Sequence, residues 1–179
     1  RQRLQTGSNS CWYRMYGSFG CRKILGFLRY LVMFKYNFFL FKVLPSAWLC
    51  GVRVRDLNDK KCIISVRHNW FNSNPFESLY WAVQGMASEL ATGLAIIDYA
   101  NKNKLKMSML VISNESKFLK KAKGLILFEC NQVNSIKKTL STLSKNKTTD
   151  KIKLTSIGYD ESGDVVSEFI YEWSFKLKV

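Results

Sequence analysis

The sequence predicts an α+β fold in which an antiparallel sheet wraps around one long central helix. Residues 78–97 contain a single charged residue, Glu89. A helix that is apolar on nearly every side has to be enclosed by other elements. Alternating strand-like segments precede and follow this stretch, and folding them around the helix leaves no apolar face uncovered.

Six strands are predicted from alternating or continuous apolar runs bounded by turn residues. The first two form a hairpin around the turn 58–60. The predicted strands comprise residues 52–57, 62–66, 107–113, 124–132, 152–159 and 165–177, with a turn at 160–164. Residues 133–149 are rich in Lys, Ser and Thr and are interpreted as a polar connection that holds a helical turn or more.

The central helix has a predicted start at the segment 74–77. Asn74 suits the N-cap, Pro75 the first helical position, and Glu77 the third. The helix is therefore expected to extend from Phe76 to about Asn103.

Three regions are predicted along the chain, and the first two lack acidic residues. Residues 1–44 contain eight basic residues and no acidic residue. Residues 1–23 form a basic arm without a clear period, residues 24–44 an N-terminal amphipathic helix, and residues 45–179 the folded domain. Arg29, Lys35 and Lys42 interrupt the apolar helix before it reaches the ~20 residues that span a bilayer. We expect it to pack its Phe and Leu residues on the domain or a neighbour, with contact to a membrane surface as the alternative.

Composition narrows the classes of function. The net charge of +15 favours polyanionic partners such as nucleic acid, acidic membrane or a phosphorylated substrate. Five scattered cysteines without a CxxC pair indicate a reducing, cytoplasmic compartment rather than a disulfide framework. The single histidine, His68, excludes a metal site with two histidine ligands from one chain, which removes most hydrolytic zinc enzymes, and no metal is expected.

Glu89 is the candidate functional residue of the central helix. Gly85 and Gly93 lie one turn before and after it, so its carboxylate projects from a strip with almost no side chain. Such a strip admits a ligand or a second backbone, and two interpretations stay open: a catalytic carboxylate, or an ion-pairing residue at a subunit interface. Ser88 and Thr92 add hydroxyl groups that could orient water or bond the helix backbone.

Two segments carry a resemblance to a known family. Residues 74–93, NPFESLYWAVQGMASELATG, resemble the central-helix signature of hotdog-fold thioesterases, most similar to the group related to the YiiD C-terminal domain. Residues 116–124, SKFLKKAKG, are similar to the stretch that follows the third strand in hotdog enzymes, with Lys121 where proline is usual. The resemblance covers about residues 40–179.

The resemblance implies a hotdog fold with an N-terminal helical extension, a homodimer or a tetramer built from dimers, and active sites between subunits. It also implies hydrolysis of an acyl-CoA or acyl-carrier thioester, with coenzyme A entering only as part of the substrate. Along the ungapped match, Asn74 takes the place of the family's asparagine and Glu89 that of its helix acid. Tyr80, Trp81 and Ala82 stand where related enzymes have His-Gly-Gly.

In that mechanism Glu89 acts as base or nucleophile. The amide groups of Tyr80, Trp81 and Ala82 hold the carbonyl oxygen. The remaining candidates are Asn74 as a second catalytic residue or a helix cap, and Gly85, Ser88, Thr92, His68, Lys120 and Lys121 as substrate-binding residues, the lysines through the phosphates of coenzyme A.

Two other classes of function stay open. The first is a non-catalytic hotdog protein that binds acyl groups or forms a structural dimer, because His-Gly-Gly is absent. The second is a basic nucleic-acid-binding protein, suggested by the net charge and by residues 12–16, where aromatic residues interleave with Arg14.

Overall fold

The computed structural model describes residues 30–31, 33–146 and 148–178. Within them, six strands form one antiparallel sheet in the order β1-β2-β4-β5-β6-β3. The strands are β1 (Arg53–Leu57), β2 (Cys62–Arg67), β3 (Met107–Phe118), β4 (Leu125–Cys130), β5 (Thr149–Tyr159) and β6 (Val165–Leu177). All six predicted strands are confirmed, β6 with the predicted bounds.

Strand β3 is five residues longer than the sequence indicated. It pairs with β6 along its whole length, past a bulge between Val111 and Ser113, and reaches Phe118. Its last residues, 114–118, are polar and charged apart from Phe118, so alternation alone did not reveal them. The extension makes β3 a twelve-residue edge strand.

The central helix, α3 (Trp81–Lys102), lies against β2, β4, β5 and β6. Its sheet-facing residues, among them Ala87, Ala91 and Leu94, are fully buried together with Phe128 and Phe169. The small side chains let the helix lie close to the sheet, where it forms the core of the domain. The predicted arrangement of a sheet around one central helix is confirmed.

The predicted start of this helix is wrong by five residues. The Asn74 Oδ1 atom does accept hydrogen bonds from backbone N–H groups, those of Phe76 and Ser78, but it closes a turn and not a helix. The chain after the turn is held in place by its backbone, since Leu79 N–H donates to the carbonyl of Ala122. Glu77, at φ 56°, interrupts any helical path.

The polar connection after β4 is a four-turn helix, α4 (Val133–Asn146). Val133, Ile136, Leu140 and Leu143 recur at a spacing of three and four residues and are all buried. The expectation of a connection with a turn or more of helix understated this element, because Lys, Ser and Thr between the apolar positions masked the period.

The N-terminal extension is helical, as predicted. Residues 30–31 and 33–43 form α1, which is followed by the short helix α2 (Pro45–Leu49). The carboxamide of Asn37 pairs with both backbone groups of Val54, and Tyr36 donates a hydrogen bond to Asp98 on α3. Helix α1 thereby covers the outer edge of β1.

Only part of the expected packing of α1 is present. Leu40 is fully buried, but Phe34, Phe38 and Phe41 are each more than half exposed. These three phenylalanines therefore do not pack into the core of the described domain, and their packing on a neighbour stays a prediction. None of the described helices is long and apolar enough to cross a membrane. The basic arm predicted for residues 1–23 and the first part of the predicted helix, residues 24–29, lie outside the described residues.

Candidate active site

Glu89 lies in the middle of α3, on the one side of the helix that the sheet leaves open. Its side chain is exposed on the single chain, and its predicted place in a cleft between subunits stays a prediction. It borders a shallow cavity of about 190 Å³, together with Met86, Met109, Trp173 and the end of the N-terminal extension at Leu44. This apolar surrounding raises the pKa of the Glu89 carboxyl, because partial burial penalises its charged form.

The two glycines beside Glu89 differ in what surrounds them. A Cβ atom on Gly85 would meet no atom within 4 Å, whereas one on Gly93 would lie 3.2 Å from the indole ring of Trp173. Gly93 therefore serves close packing of helix against sheet. Gly85 leaves an open surface next to Glu89, as a ligand or second subunit requires.

The hydroxyl groups of Ser88 and Thr92 are turned toward the sheet. Ser88 Oγ lies 2.6 Å from the Tyr171 hydroxyl, and Thr92 Oγ1 accepts a hydrogen bond from the Trp173 indole. Both side chains are fully buried. The two hydroxyl groups therefore hold α3 against β6, and they do not lie at the open face with Glu89.

A second, larger cavity of about 410 Å³ lies at the amino end of α3. Its walls come from the turn at Asn74, the first residues of α3 and the segment after β3. The lining residues are Asn74, Phe76, Ser78, Leu79, Trp81, Gln84, Phe118, Leu119, Lys120, Lys121 and Ala122. Six of the eleven are apolar and two are lysines, which suits an organic ligand that carries both apolar and anionic groups.

The amino end of α3 offers two hydrogen-bond donors beside this cavity. Tyr80 N–H donates to the carbonyl of Asn72, which removes it from the predicted set of three. The N–H groups of Trp81 and Ala82 have no acceptor among the described residues. No acidic side chain occurs in the first turn, and no side chain caps it. The positive end of the helix is therefore available to an anionic oxygen.

Asn74 lies in the wall of the larger cavity with its side chain already occupied. Its Oδ1 atom accepts from two backbone N–H groups and its Nδ2 atom donates to Ser78 Oγ at 3.1 Å. The side chain thus shapes the cavity wall; its predicted catalytic role stays a prediction.

The predicted phosphate-binding lysines differ in their partners. Lys120 Nζ lies 2.6 Å from Asp160 and 2.7 Å from Asp164, and these hydrogen bonds raise the pKa of its ammonium. Lys121 Nζ donates a long hydrogen bond of 3.4 Å to the carbonyl of Phe76 at the cavity wall. Lys121 is accordingly the better placed of the two to meet an anionic ligand.

His68 is held outside the walls of both cavities. Its Nε2 atom lies 3.0 Å from Ser73 Oγ, and its backbone N–H donates to the carbonyl of Gly124. The histidine therefore stabilises the loop before α3.

A single chain does not bring the two halves of the predicted site together. Trp81 and Glu89 are eight residues apart on one helix, which separates them by about 12 Å along its axis. They also border different cavities. A thioester carbonyl needs donor and carboxylate within a few ångströms of each other.

Several residues of the larger cavity were missed from the sequence. Phe118, Leu119 and Ala122 lie in the segment that carries the second resemblance, which was a usable signal. Phe76 and Leu79 follow the Asn74 turn and were interpreted as helical.

Tyr171, the partner of Ser88, had no signal in the sequence, because only the strand register places it under the helix.

Comparisons with known proteins agree on the fold. No protein-family model matches the sequence, and no curated protein matches it. Among solved structures, OLEI01261 of Chlorobaculum tepidum is 12% identical with a TM-score of 0.71, covering 84% of this chain and 97% of its own. PA5026 of Pseudomonas aeruginosa, called a probable thioesterase, is 19% identical with a TM-score of 0.64, covering 73% and 86%.

The thioesterase PA1618 of Pseudomonas aeruginosa, solved as a variant, is 10% identical. It has a TM-score of 0.62 and covers 82% of this chain and 94% of its own. Together with the strand order and the central helix, these similarities establish the hotdog fold. At such low identity they establish the fold alone.

Proposed function

We propose that the protein is a thioester hydrolase of the hotdog class that acts on acyl-CoA or acyl-carrier substrates, related to the YiiD C-terminal domain group. One observation carries the proposal. The N–H groups of Trp81 and Ala82 have no acceptor among the described residues, and Trp81 lines the larger cavity, while a carboxyl with a raised pKa lies on the same helix. Acyl transfer needs both kinds of group.

The complete site in this proposal forms between two copies of the chain. Because Trp81 and Glu89 lie about 12 Å apart along one helix, two antiparallel helices bring the amino end of each against the middle of the other. The open surface at Gly85 admits such an approach. Each dimer then has two sites, each with Glu89 from one copy and the helix amino end from the other.

The chemistry follows from these groups. Glu89 removes a proton from water, whose oxygen adds to the thioester carbon, or its carboxylate adds directly and water then releases the acid. The N–H groups of Trp81 and Ala82 stabilise the negative oxygen of the tetrahedral intermediate. The carbon–sulfur bond breaks, and the thiolate takes a proton and leaves as coenzyme A or carrier thiol.

A first experiment tests the carboxylate. Glu89→Gln keeps the size of the side chain and removes the base, so turnover of acyl-CoA substrates of graded chain length should fall by a factor on the order of 10² or more. Binding of acyl-CoA, measured by calorimetry, should persist. Unchanged turnover would refute the catalytic role of Glu89.

A second experiment separates the backbone donor from the Trp81 side chain. Trp81→Pro removes one N–H at the first helical position, where proline is tolerated and where the preceding Tyr80 already has a compatible ψ of 135°. Trp81→Ala removes the ring and keeps the N–H. We expect a further loss on the order of 10² in kcat for the proline variant relative to the alanine variant.

A third experiment tests the composite site. In an equal mixture of Glu89→Gln and Trp81→Pro chains, half of the dimers carry one of each, and one of the two sites in such a dimer is intact. Unfolding and refolding the mixture should restore about a quarter of the wild-type activity. No recovery would place both groups of each site in one chain.

The alternative is a hotdog protein that binds acyl groups without turnover. Trp81 stands where related enzymes have glycine, and its ring is exposed beside the donors. Acyl-CoA binding by the wild-type chain, with no hydrolysis of any substrate in the series, would favour that alternative.

A further inference from the structure

The outer face of α1 carries an exposed apolar stripe. Tyr30 and Phe34 are each 63% exposed, Phe38 and Phe41 51%, and Leu31 46%. At 3.6 residues per turn, all five project within an arc of about 100°. Singly exposed apolar residues are common, but a continuous stripe of four aromatic residues and a leucine marks a surface that contacts something apolar.

The opposite side of α1 is fixed to the domain. Leu40 is fully buried, the carboxamide of Asn37 pairs with the backbone of Val54, and the Tyr36 hydroxyl lies 2.7 Å from Asp98. The stripe therefore cannot turn inward without breaking these contacts. Its occupant has to come from outside the described domain.

Basic residues border the stripe. Lys35 and Lys42 lie along one edge of the stripe. Lys42 Nζ is 4.8 Å from the centre of the Phe38 ring. Residues 1–44 contain eight basic residues and no acidic one, six of them before residue 30. An apolar stripe flanked by lysines is typical of helices that lie in the plane of an anionic membrane surface.

The same charges argue against a second copy of the chain as the occupant. Two α1 helices that met through this stripe would bring Lys35 and Lys42 of one copy near their counterparts. No acidic side chain of residues 1–44 could compensate them. Residues 1–29 carry positive charge only, so they too would be repelled from the lysine border.

We propose that the stripe formed by Tyr30, Leu31, Phe34, Phe38 and Phe41 is a docking surface for an anionic lipid bilayer. The aromatic rings enter the interface between headgroups and acyl chains, while the lysines reach the lipid phosphates. The helix lies on the membrane and does not cross it.

Co-sedimentation of the full chain with vesicles tests this assignment. We expect binding to vesicles of phosphatidylcholine with phosphatidylserine, and binding at least tenfold weaker to phosphatidylcholine alone. Phe34→Ser with Phe38→Ser and Phe41→Ser should weaken binding by a factor on the order of 10² or more. Trp70→Ser with Phe71→Ser, which removes exposed aromatic rings elsewhere, is the matched control and should bind as wild type.

A charge reversal gives an independent variant that keeps the apolar stripe. Lys35→Glu with Lys42→Glu should weaken binding to the anionic vesicles at least tenfold, whereas Lys60→Glu with Lys151→Glu, with the same change in net charge, should have less effect. Equal losses in the two charge variants, or no vesicle binding by the wild-type chain, would overturn the proposal. A dimer that dissociates in the phenylalanine variant while vesicle binding is unchanged would overturn it too and assign the stripe to a second copy.

Discussion

At the scale of single residues, the surroundings of each side chain decide which candidates can act. Glu89 and Ser88 are neighbours in sequence, yet one lies at the open face of α3 and the other is buried against Tyr171. Lys120 and Lys121 are also adjacent, yet only Lys120 is bound by two carboxylates. The candidate site is therefore smaller than the set of polar residues near it in sequence.

The raised pKa of Glu89 predicts a pH-dependent gain in stability for Glu89→Gln. A carboxyl whose pKa is raised by folding favours the folded state below its ordinary pKa of 4.5, and this contribution is lost as the pH rises through the raised pKa. At neutral pH the variant should therefore melt above the wild type, and the difference should shrink as the pH falls below 4.5. Calorimetric melting across this range is the measurement. A difference in melting temperature that does not change with pH would contradict the raised pKa of Glu89.

The two adjacent lysines form a matched pair for substrate binding. Lys121→Ala should raise the KM for acyl-CoA roughly fivefold, because an exposed ammonium at the cavity contributes modestly to binding a phosphate. Lys120→Ala should change KM by less than about twofold, because its ammonium is already bound to Asp160 and Asp164. Steady-state kinetics with both variants would measure the contrast. A larger rise in KM for Lys120→Ala than for Lys121→Ala would show that the substrate displaces Asp160 and Asp164 from Lys120.

At the scale of elements, three polar residues of α3 bind the helix to β6. Gln84, Ser88 and Thr92 recur every four residues, and their partners on the strand are Ser167, Tyr171 and Trp173. All six residues are buried. Buried hydrogen bonds of this kind fix the position of a helix on a sheet, since an unpaired partner would lose its solvation without compensation. The orientation of Glu89 toward the open face follows from this fixed position.

This arrangement predicts a structural role for Tyr171. Tyr171→Phe should lower the free energy of unfolding by about 1 kcal/mol, because the buried Ser88 hydroxyl loses a partner. Ser88→Ala should cost a similar amount, and the double variant less than the sum of the two. Denaturant unfolding measures these energies, and turnover should change by less than about twofold. A large loss of turnover in stable Ser88→Ala protein would restore a catalytic role to that hydroxyl.

At the scale of the whole molecule, the two edges of the sheet differ. Helix α1 covers β1 through Asn37, whereas no described strand pairs with the outer edge of β3. Leu110 and Ile112 on that strand are 65% and 40% exposed. A long, partly apolar edge strand favours pairing with another chain.

A dimer through the β3 edges is the corresponding prediction. The wild-type chain should have the mass of a dimer in light scattering at micromolar concentration. Leu110→Lys with Ile112→Lys should give a folded monomer with little turnover, because the proposed site needs two copies. Asn134→Lys with Ser162→Lys, at exposed positions on α4 and in the last turn, should stay dimeric. A monomeric wild-type chain would contradict both the dimer and the composite site.

The amino-acid sequence by itself predicted the six strands, the central helix and the sheet around it. The near absence of charge in residues 78–97 predicts an enclosed helix, because an unpaired charge is costly to bury, and the apolar runs around it predict the strands. It also indicated Glu89 with Gly85 and Gly93 beside it, and the family resemblance added the amides near Trp81; their union in one site stays a prediction. These features are local, so a short window of sequence contains them.

Only the tertiary structure decided which polar groups are hydrogen-bonded within the protein and which face solvent. The sequence placed a helix start at Asn74, but Leu79 N–H donates to the distant carbonyl of Ala122, and α3 begins at Trp81. Strand register sets Tyr171 under Ser88, and the packing of α1 leaves its aromatic stripe exposed. Such contacts join residues far apart in the chain, and their energies depend on the three-dimensional arrangement and not on local pattern.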